Sequence, residues 1–181
     1  NNSIESSLSN SNILQESNQK KEQTIRIMIV DGQSTVCQQL QLWLEPEPDL
    51  EVVATATDGA TAINLIESLQ PDIILMDLQI SRIDGFETIE IIVKRFPKCK
   101  ILVLSSSSKK DDVKRALKAG ARGYLIKSSS VEDIVNSSRS AGKSYFQLSP
   151  GLFTKIFLPK LTSCSFKKTW KFVIRVYFLI L

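Results

Sequence analysis

The stretch IMIVDGQSTV, residues 27–36, begins with four apolar residues, ends its apolar run at Asp31 and continues directly with Gly32. Apolar runs of this length and branched content are typical of a strand that is buried on both faces of a parallel sheet. Open α/β sheets bind ligands beyond the carboxyl ends of their strands. The stretch therefore predicts a buried first strand that presents Asp31 at a ligand-binding edge.

Four further apolar runs repeat this pattern along the chain. They occupy residues 52–54, 73–76, 101–104 and 123–126. A segment with apolar residues at helical spacing follows each run, including the first. Five strands that alternate with five helices predict a doubly wound α/β fold. We expect a five-stranded parallel sheet in the flavodoxin-like order 2-1-3-4-5, with helices on both faces.

Composition divides the chain into three segments. Residues 1–24 are rich in Asn, Ser and Gln, which predicts a flexible polar N-terminal segment. Residues 25–147 form the predicted domain, and residues 148–181 form a basic and apolar tail. No apolar block preceded by basic residues stands near the start, and the three cysteines are far apart. These features argue against a secretory signal and a disulfide framework, so we expect a cytoplasmic location.

The first polar residues after the apolar runs indicate what the edge binds. Asp31 and Asp77 follow the first and third runs, which are neighbours in the predicted order. Two adjacent carboxylates need a cation, and Mg²⁺ takes oxygen ligands of this kind. Ser105 and Lys127 follow the fourth and fifth runs and suit the charge of a phosphoryl group. Since the chain has no histidine, any phosphohistidine must belong to another protein.

Residues 25 to about 147 resemble the receiver domain of two-component response regulators. The resemblance is carried by IMIVDGQ, PDIILMDLQISRIDG, ILVLSSS and GARGYLIKSS. LEPEPDLEVVATATDGATAINLI and SAGKSYFQLSP resemble the subfamily that has a LuxR-type helix-turn-helix output domain. The resemblance implies a signalling domain, not an enzyme, which accepts a phosphoryl group from a sensor histidine kinase and switches conformation.

The resemblance also assigns roles to individual residues. Asp77 matches the phosphoacceptor, and Gln79 matches the position whose backbone carbonyl binds the metal ion. Ser105 matches the hydroxyl that moves toward the phosphoryl oxygens on activation. Tyr124 matches the switch aromatic, and Lys127 matches the lysine that pairs with the phosphoryl group.

The acidic cluster departs from the family pattern. Receivers usually have two adjacent acids after the first strand, and the second contacts the metal directly; here the second is Gly32. Asp31 matches the first acid, so the expected metal ligands are Asp31, Asp77 and the Gln79 carbonyl. Ser81 also replaces a usual proline. We expect weak Mg²⁺ binding, and the alternative is a degenerate pseudo-receiver that acts as a phosphorylation-independent interaction module.

Simpler structural explanations exist for these residues. An aspartate after a strand often forms a turn, which is the better interpretation for Asp31 taken alone. Ser105 begins a serine run that suits a polar loop equally well, and Tyr124 is an ordinary core residue by type. A haloacid dehalogenase-type phosphatase needs an aspartate where Gln79 stands, and a flavodoxin-type carrier needs a Ser/Thr loop where the chain has Asp31.

The tail lacks the DNA-binding unit that the subfamily implies. Its last thirty residues, 152–181, are too few for that unit and have no helix-turn-helix pattern. Lys171 and Arg175 interrupt the final apolar run, so we do not expect a membrane span. A membrane-surface segment and an accidental sequence read past a frameshift stay open. The expected partners are a sensor histidine kinase and a second copy, through the face of the fourth helix, fifth strand and fifth helix, without specific nucleic-acid binding.

Overall fold

The computed structural model describes residues 24–143, 145–149 and 151–157. The strands are β1 (Ile25–Val30), β2 (Leu50–Ala56), β3 (Ile73–Met76), β4 (Lys100–Ser105), β5 (Gly123–Ile126) and β6 (Gln147–Leu148). The helices are α1 (Ser34–Leu44), α2 (Gly59–Leu69), α3 (Gly85–Arg95), α4 (Lys110–Ala119), α5 (Val131–Gly142) and α6 (Leu152–Phe157). The expectations for residues 1–23 and 158–181 lie outside the described residues.

The strands form one parallel sheet in the order β2-β1-β3-β4-β5-β6. The predicted flavodoxin-like α/β fold and the order of the first five strands are confirmed. The strand count over the described residues is corrected from five to six, because β6 pairs with β5 through Gln147 beside Gly123 and Leu148 beside Tyr124. A strand of two residues is too short to produce a periodic pattern in the sequence.

Helices cover both faces of the sheet and bury two apolar clusters. One cluster lies between the sheet and helices α1 and α5, and the other lies between the sheet and helices α2, α3, α4 and α6. In β1, Ile27 and Ile29 face the first cluster, whereas Met28 and Val30 face the second. Because both faces of this strand are buried, every residue from 27 to 30 is apolar and fully covered.

Local sequence sets where the helices begin and end at this sheet. The Asp84 side chain accepts hydrogen bonds from the backbone N–H groups of Phe86 and Glu87, at 2.9 and 3.3 Å, and so caps α3. Gly120 ends α4 with a φ of 110°, a left-handed conformation that glycine adopts without strain. These two residues fix the lengths of the loop before α3 and of the turn before β5.

The residues after α5 return to the sheet as a C-terminal strap, which we define as residues 147–149 and 151–157. The strap comprises β6 and α6, and it buries the side chains of Leu152 and Ile156 in the cluster beneath α2, α3 and α4. The Lys155 ammonium donates to the Ser108 hydroxyl at 3.2 Å, in the connection between β4 and α4. The beginning of the segment predicted as a tail therefore packs against the domain.

No helix among these described ranges is long and apolar enough to cross a membrane.

We predict that Leu152→Ala destabilises the domain, because it removes a side chain that is only 2% exposed. Large-to-small changes of buried leucine cost about 2–5 kcal/mol of unfolding free energy, measurable by urea denaturation. Lys155→Ala, on the exposed side of the same helix, is the matched control and should stay within about 0.5 kcal/mol of the original. Equal stability of the two variants would contradict the packing of α6.

Candidate functional site

The carboxyl ends of β1 and β3 bring two aspartates side by side. Val30 pairs with Met76 in the parallel ladder, and Asp31 and Asp77 directly follow these residues. The backbone N–H of Asp77 donates to the Val30 carbonyl at 2.8 Å, which extends the ladder to the site. Both aspartates are buried, with exposures of 2% and 4%. Their carboxylates therefore need a compensating cation.

The ammonium group of Lys127 supplies that cation. Its Nζ lies 2.5 Å from Asp31 Oδ2 and 2.8 Å from Asp77 Oδ2, so one ammonium bridges the two carboxylates. Lys127 follows β5 directly, and its own backbone N–H donates to the Ser105 carbonyl at 2.9 Å. The structure thus brings together the three charged residues that the sequence predicted at this edge.

Each carboxylate divides its two oxygens between the backbone and Lys127. Asp31 Oδ1 accepts a hydrogen bond from the Gln33 N–H at 3.0 Å, and Asp77 Oδ1 accepts one from the Leu78 N–H at 2.7 Å. The other oxygen of each contacts the ammonium. Asp31 therefore forms the turn expected of an aspartate in this position and also belongs to the charged cluster. The backbone bonds fix the orientation of both carboxylates.

The environment of Lys127 keeps its side chain charged. Burial disfavours the ammonium, but the hydrogen bonds and negative charges of Asp31 and Asp77 outweigh burial and raise the pKa of Lys127 above its ordinary value. A raised lysine pKa stabilises the folded state below the ordinary lysine pKa, and that stabilisation disappears only as the pH rises through the raised value. Lys127 therefore carries its positive charge at neutral pH.

Ser105 and Tyr124 lie beside the charged cluster and share a partner. Ser105 is buried at the end of β4, and its hydroxyl accepts a hydrogen bond from the Ser107 N–H at 3.2 Å. Tyr124 is fully buried and donates its hydroxyl to the Ser107 carbonyl at 2.8 Å. Burial raises the pKa of Tyr124 above its ordinary value, so the hydroxyl stays protonated as a donor. Tyr124 is therefore a core residue in this structure.

Gly32 packs against the carbonyl group that was predicted to bind the metal ion. A Cβ atom added at Gly32 would lie 2.8 Å from the Gln79 carbonyl oxygen, which is closer than real Cβ atoms approach. The loop that carries Gln79 is also tied to the β2–α2 connection by a backbone bridge between Ser81 and Asp58. Gly32 therefore has two consequences. It leaves the site without a second acid, and it lets the Gln79 carbonyl approach to a distance at which a side chain would not fit.

The oxygen donors at this edge are of the type that a hard cation such as Mg²⁺ binds. Asp31 and Asp77 supply two carboxylates, and the Gln79 carbonyl lies beside the same β1–α1 loop. In the part of the chain that the structure describes, no group of three or more His, Cys, Asp or Glu side chains could hold a metal ion. Mg²⁺ needs only one or two carboxylates because it keeps several of its waters.

Sequence reasoning missed the groups that orient the two carboxylates. The N–H donors of Gln33 and Leu78 are backbone groups, which leave no signal in the sequence. Cys37 was also missed; its thiol donates weakly to the Asp31 carbonyl at 3.6 Å. Burial, with a contribution from the Asp31 charge, raises the pKa of the Cys37 thiol, so it stays protonated.

Comparison with known proteins identifies the family to which the chain belongs. The family model of the response regulator receiver domain matches residues 27–139. The chain is similar to the transcriptional regulatory protein LiaR of Bacillus subtilis (strain 168), with 38% identity over 119 residues, 66% of this chain and 56% of LiaR. It is also similar to the response regulator protein VraR of Staphylococcus aureus (strain Mu3), with 37% identity over 126 residues, 68% of this chain and 60% of VraR. The chain thus spans little more than half the length of these relatives.

Solved structures lead to the same family. A LuxR-family two-component response regulator from Aurantimonas sp. SI85-9A1 superposes with a TM-score of 0.73 at 29% identity, covering 76% of this chain and 99% of that one. The signal receiver domain of NarL from Mycobacterium tuberculosis superposes with a TM-score of 0.64 at 26% identity, covering 67% and 98%. The chain belongs to the response regulator receiver domain family of two-component systems.

Proposed function

We propose that Asp77 accepts a phosphoryl group from a phosphohistidine of a sensor histidine kinase. The observation that carries the proposal is the bridge from Lys127 to Asp77 Oδ2 and Asp31 Oδ2 within one buried cluster. A carboxylate can act as the nucleophile in phosphoryl transfer, and a fixed cation can stabilise the charge of the transferring group. The proposal concerns this domain, in a cytoplasmic setting where a kinase can reach it.

The transfer would replace the phosphorus–nitrogen bond of the phosphohistidine with a phosphorus–oxygen bond to Asp77. A carboxylate oxygen of Asp77 attacks phosphorus, the bond from phosphorus to the imidazole nitrogen breaks, and the imidazole leaves with its electron pair. The product is an acyl phosphate on Asp77. Lys127 would transfer its contact from Asp77 Oδ2 to the phosphoryl oxygens, while the Leu78 N–H keeps Asp77 Oδ1 in place.

The charge balance explains why a cation is needed as well as Lys127. The ammonium and two carboxylates leave the cluster one negative charge in excess, which repels an incoming phosphoryl group. Receiver domains generally bind Mg²⁺ at the phosphorylation site. When bound here, Mg²⁺ would neutralise the phosphoryl oxygens, with Asp31, Asp77 and the Gln79 carbonyl as its protein ligands. Gly32 leaves this set one carboxylate short, so we propose that the ion is held weakly.

We further propose that Ser107 links the site to α4. Ser105 would move its hydroxyl toward the phosphoryl oxygens, which breaks its hydrogen bond with the Ser107 N–H. The Ser107 carbonyl accepts from Tyr124, and its hydroxyl donates at 2.5 Å to Asp112 in the first turn of α4. A shift of Ser107 would therefore reach both the aromatic ring and the helix. The face of α4, β5 and α5 is the surface through which a second copy would then bind.

Incubation with Mg²⁺ and a small phosphodonor such as acetyl phosphate should add one phosphoryl group to the protein. Intact-protein mass spectrometry measures the adduct, which should be absent from Asp77→Asn because the nucleophile is gone. Asp133→Asn, in the first turn of α5, removes an acid away from the cluster and should retain the adduct. The single variant Lys127→Met should gain the phosphoryl group more slowly than the original chain, since the fixed cation is lost.

Lack of an adduct from either a small phosphodonor or a phosphorylated kinase would contradict the proposal. That outcome would favour the pseudo-receiver, an interaction module independent of phosphorylation, which the missing acid at Gly32 motivates.

Gly32→Asp should raise Mg²⁺ affinity, measured by calorimetry, because it adds a carboxylate to the donor set. Loss of residues that only orient metal ligands costs on the order of 10- to 100-fold in affinity, so we expect an added direct ligand to give a gain of at least about tenfold. Gly32→Asn is the matched control, since it adds nearly the same atoms without the charge. Both variants should lose about 1–3 kcal/mol of stability, because each places a Cβ against the Gln79 carbonyl.

Equal Mg²⁺ affinity of the Asp and Asn variants would show that the absent acid does not limit metal binding. Unchanged stability of both variants would contradict the steric role of Gly32.

A further inference from the structure

The hydroxyl of Ser149, in the C-terminal strap, is buried and fully engaged. Ser149 is only 3% exposed. Its Oγ accepts a hydrogen bond from the Ile126 N–H at 2.9 Å and shares another with the Ser129 hydroxyl at 2.9 Å. Its backbone N–H donates to the Tyr124 carbonyl at 3.0 Å, and its carbonyl accepts from the Leu152 N–H at 3.1 Å. Ser149 therefore joins β5, the turn after β5 and α6.

The two residues held by this hydroxyl bracket Lys127. Ile126 precedes Lys127, and Ser129 follows it by two positions in a turn closed by the Ser129 N–H and the Ile126 carbonyl at 2.8 Å. The Lys127 N–H makes the other attachment of this turn, to the Ser105 carbonyl at 2.9 Å. The Ser149 hydroxyl oxygen thus holds the backbone on both sides of Lys127, and we call its two hydrogen bonds, to Ile126 and Ser129, the clasp.

The ladder between β5 and β6 cannot hold this position by itself. The last paired residues of the two strands are Tyr124 and Leu148, so the Ile126 N–H lies beyond the regular ladder. The Ser149 hydroxyl takes the place of the missing strand partner. Without this hydroxyl, the part-buried N–H of Ile126 would lose its hydrogen-bond partner. An unsatisfied N–H is costly, so the backbone would shift until water could reach it.

A small shift at this turn would act directly on the charged cluster. The Lys127 Nζ contacts two carboxylates that are themselves fixed by backbone hydrogen bonds. The Lys127 ammonium therefore reaches both carboxylate oxygens only if the backbone at Lys127 is held in the right place. Displacements of about 1 Å at a reacting centre can cost on the order of 100-fold in rate.

We propose that Ser149 is a positioning residue for the phosphoryl site: its hydroxyl clasps Ile126 and Ser129 and so fixes Lys127 against Asp31 and Asp77. The proposal deepens the proposed function, on which its kinetic part rests. It also assigns a role to the C-terminal strap, which supplies this hydroxyl from outside the five-stranded unit predicted from the sequence.

The test compares Ser149→Ala with the original full chain in two measurements. The first is amide hydrogen exchange of Ile126 and Lys127 by NMR in metal-free protein, without any phosphodonor. The second is the rate at which Asp77 gains a phosphoryl group from acetyl phosphate with Mg²⁺. We expect both amides to exchange at least about tenfold faster in Ser149→Ala, and the transfer rate to fall by about tenfold.

Two further variants separate positioning from a general loss of stability. Ser138→Ala removes another buried hydroxyl, whose hydrogen bond goes to the Ile134 carbonyl within α5, at 2.8 Å, and not to the turn at Lys127. It should leave the Lys127 exchange and the transfer rate unchanged. Ser149→Thr retains the hydroxyl and should restore most of the rate.

The two measurements also distinguish the proposals from each other. Faster exchange at Lys127 in Ser149→Ala would support the clasp, whether or not the chain accepts a phosphoryl group. If the original chain accepts no phosphoryl group, the proposed function is overturned while the clasp stands. Unchanged exchange at Lys127 in Ser149→Ala would overturn the clasp. An unchanged transfer rate despite faster exchange, or an equal loss of rate in Ser138→Ala, would overturn the positioning role.

Discussion

The Lys127 ammonium lies between the carboxylates of Asp31 and Asp77, 2.5 and 2.8 Å from one oxygen of each. Both acids are almost fully covered, so without the ammonium their mutual repulsion and lost hydration would oppose folding at this edge. The strands that carry these residues are β1, β3 and β5, and they are separated by long stretches of chain. The bridge therefore joins distant parts of the sequence at the site where we propose that the phosphoryl group is transferred.

The same bridge bears on the weak Mg²⁺ binding that we propose for this site. A cation that enters must share two carboxylates already engaged by Lys127, and Gly32 offers no further acid. The Gln79 carbonyl occupies the space that a side chain at Gly32 would need. The absence of an acid at position 32 and the close approach of the Gln79 carbonyl therefore depend on each other. A carboxylate side chain fits at position 32 only if the loop after β3 moves away from it.

The charged part of the site was predictable because buried parallel strands read as unbroken apolar runs. Each run ends at a polar residue, and the strand order makes Asp31 and Asp77 neighbours. Lys127 follows β5, on the far side of β4, and its long side chain reaches both acids at the same edge of the sheet. Hydroxyl-to-backbone contacts leave no such pattern. Ser149 lay in the segment that the sequence suggested was a tail, and the two-residue strand β6 spans the predicted boundary between that tail and the domain. Only the fold shows them packed against β5. The sequence likewise revealed the absent acid at Gly32 but not the carbonyl beside it.

The most direct test of the bridge is the unfolding free energy of Lys127→Met, measured by urea denaturation at neutral pH. Removal of one partner from a buried ionic cluster leaves uncompensated charge, so we expect a loss of about 3–5 kcal/mol. Lys118→Met, on the exposed face of α4, should change stability by less than about 0.5 kcal/mol. Addition of Asp31→Asn and Asp77→Asn to Lys127→Met should recover most of the loss. A Lys127→Met variant as stable as the original would contradict the account.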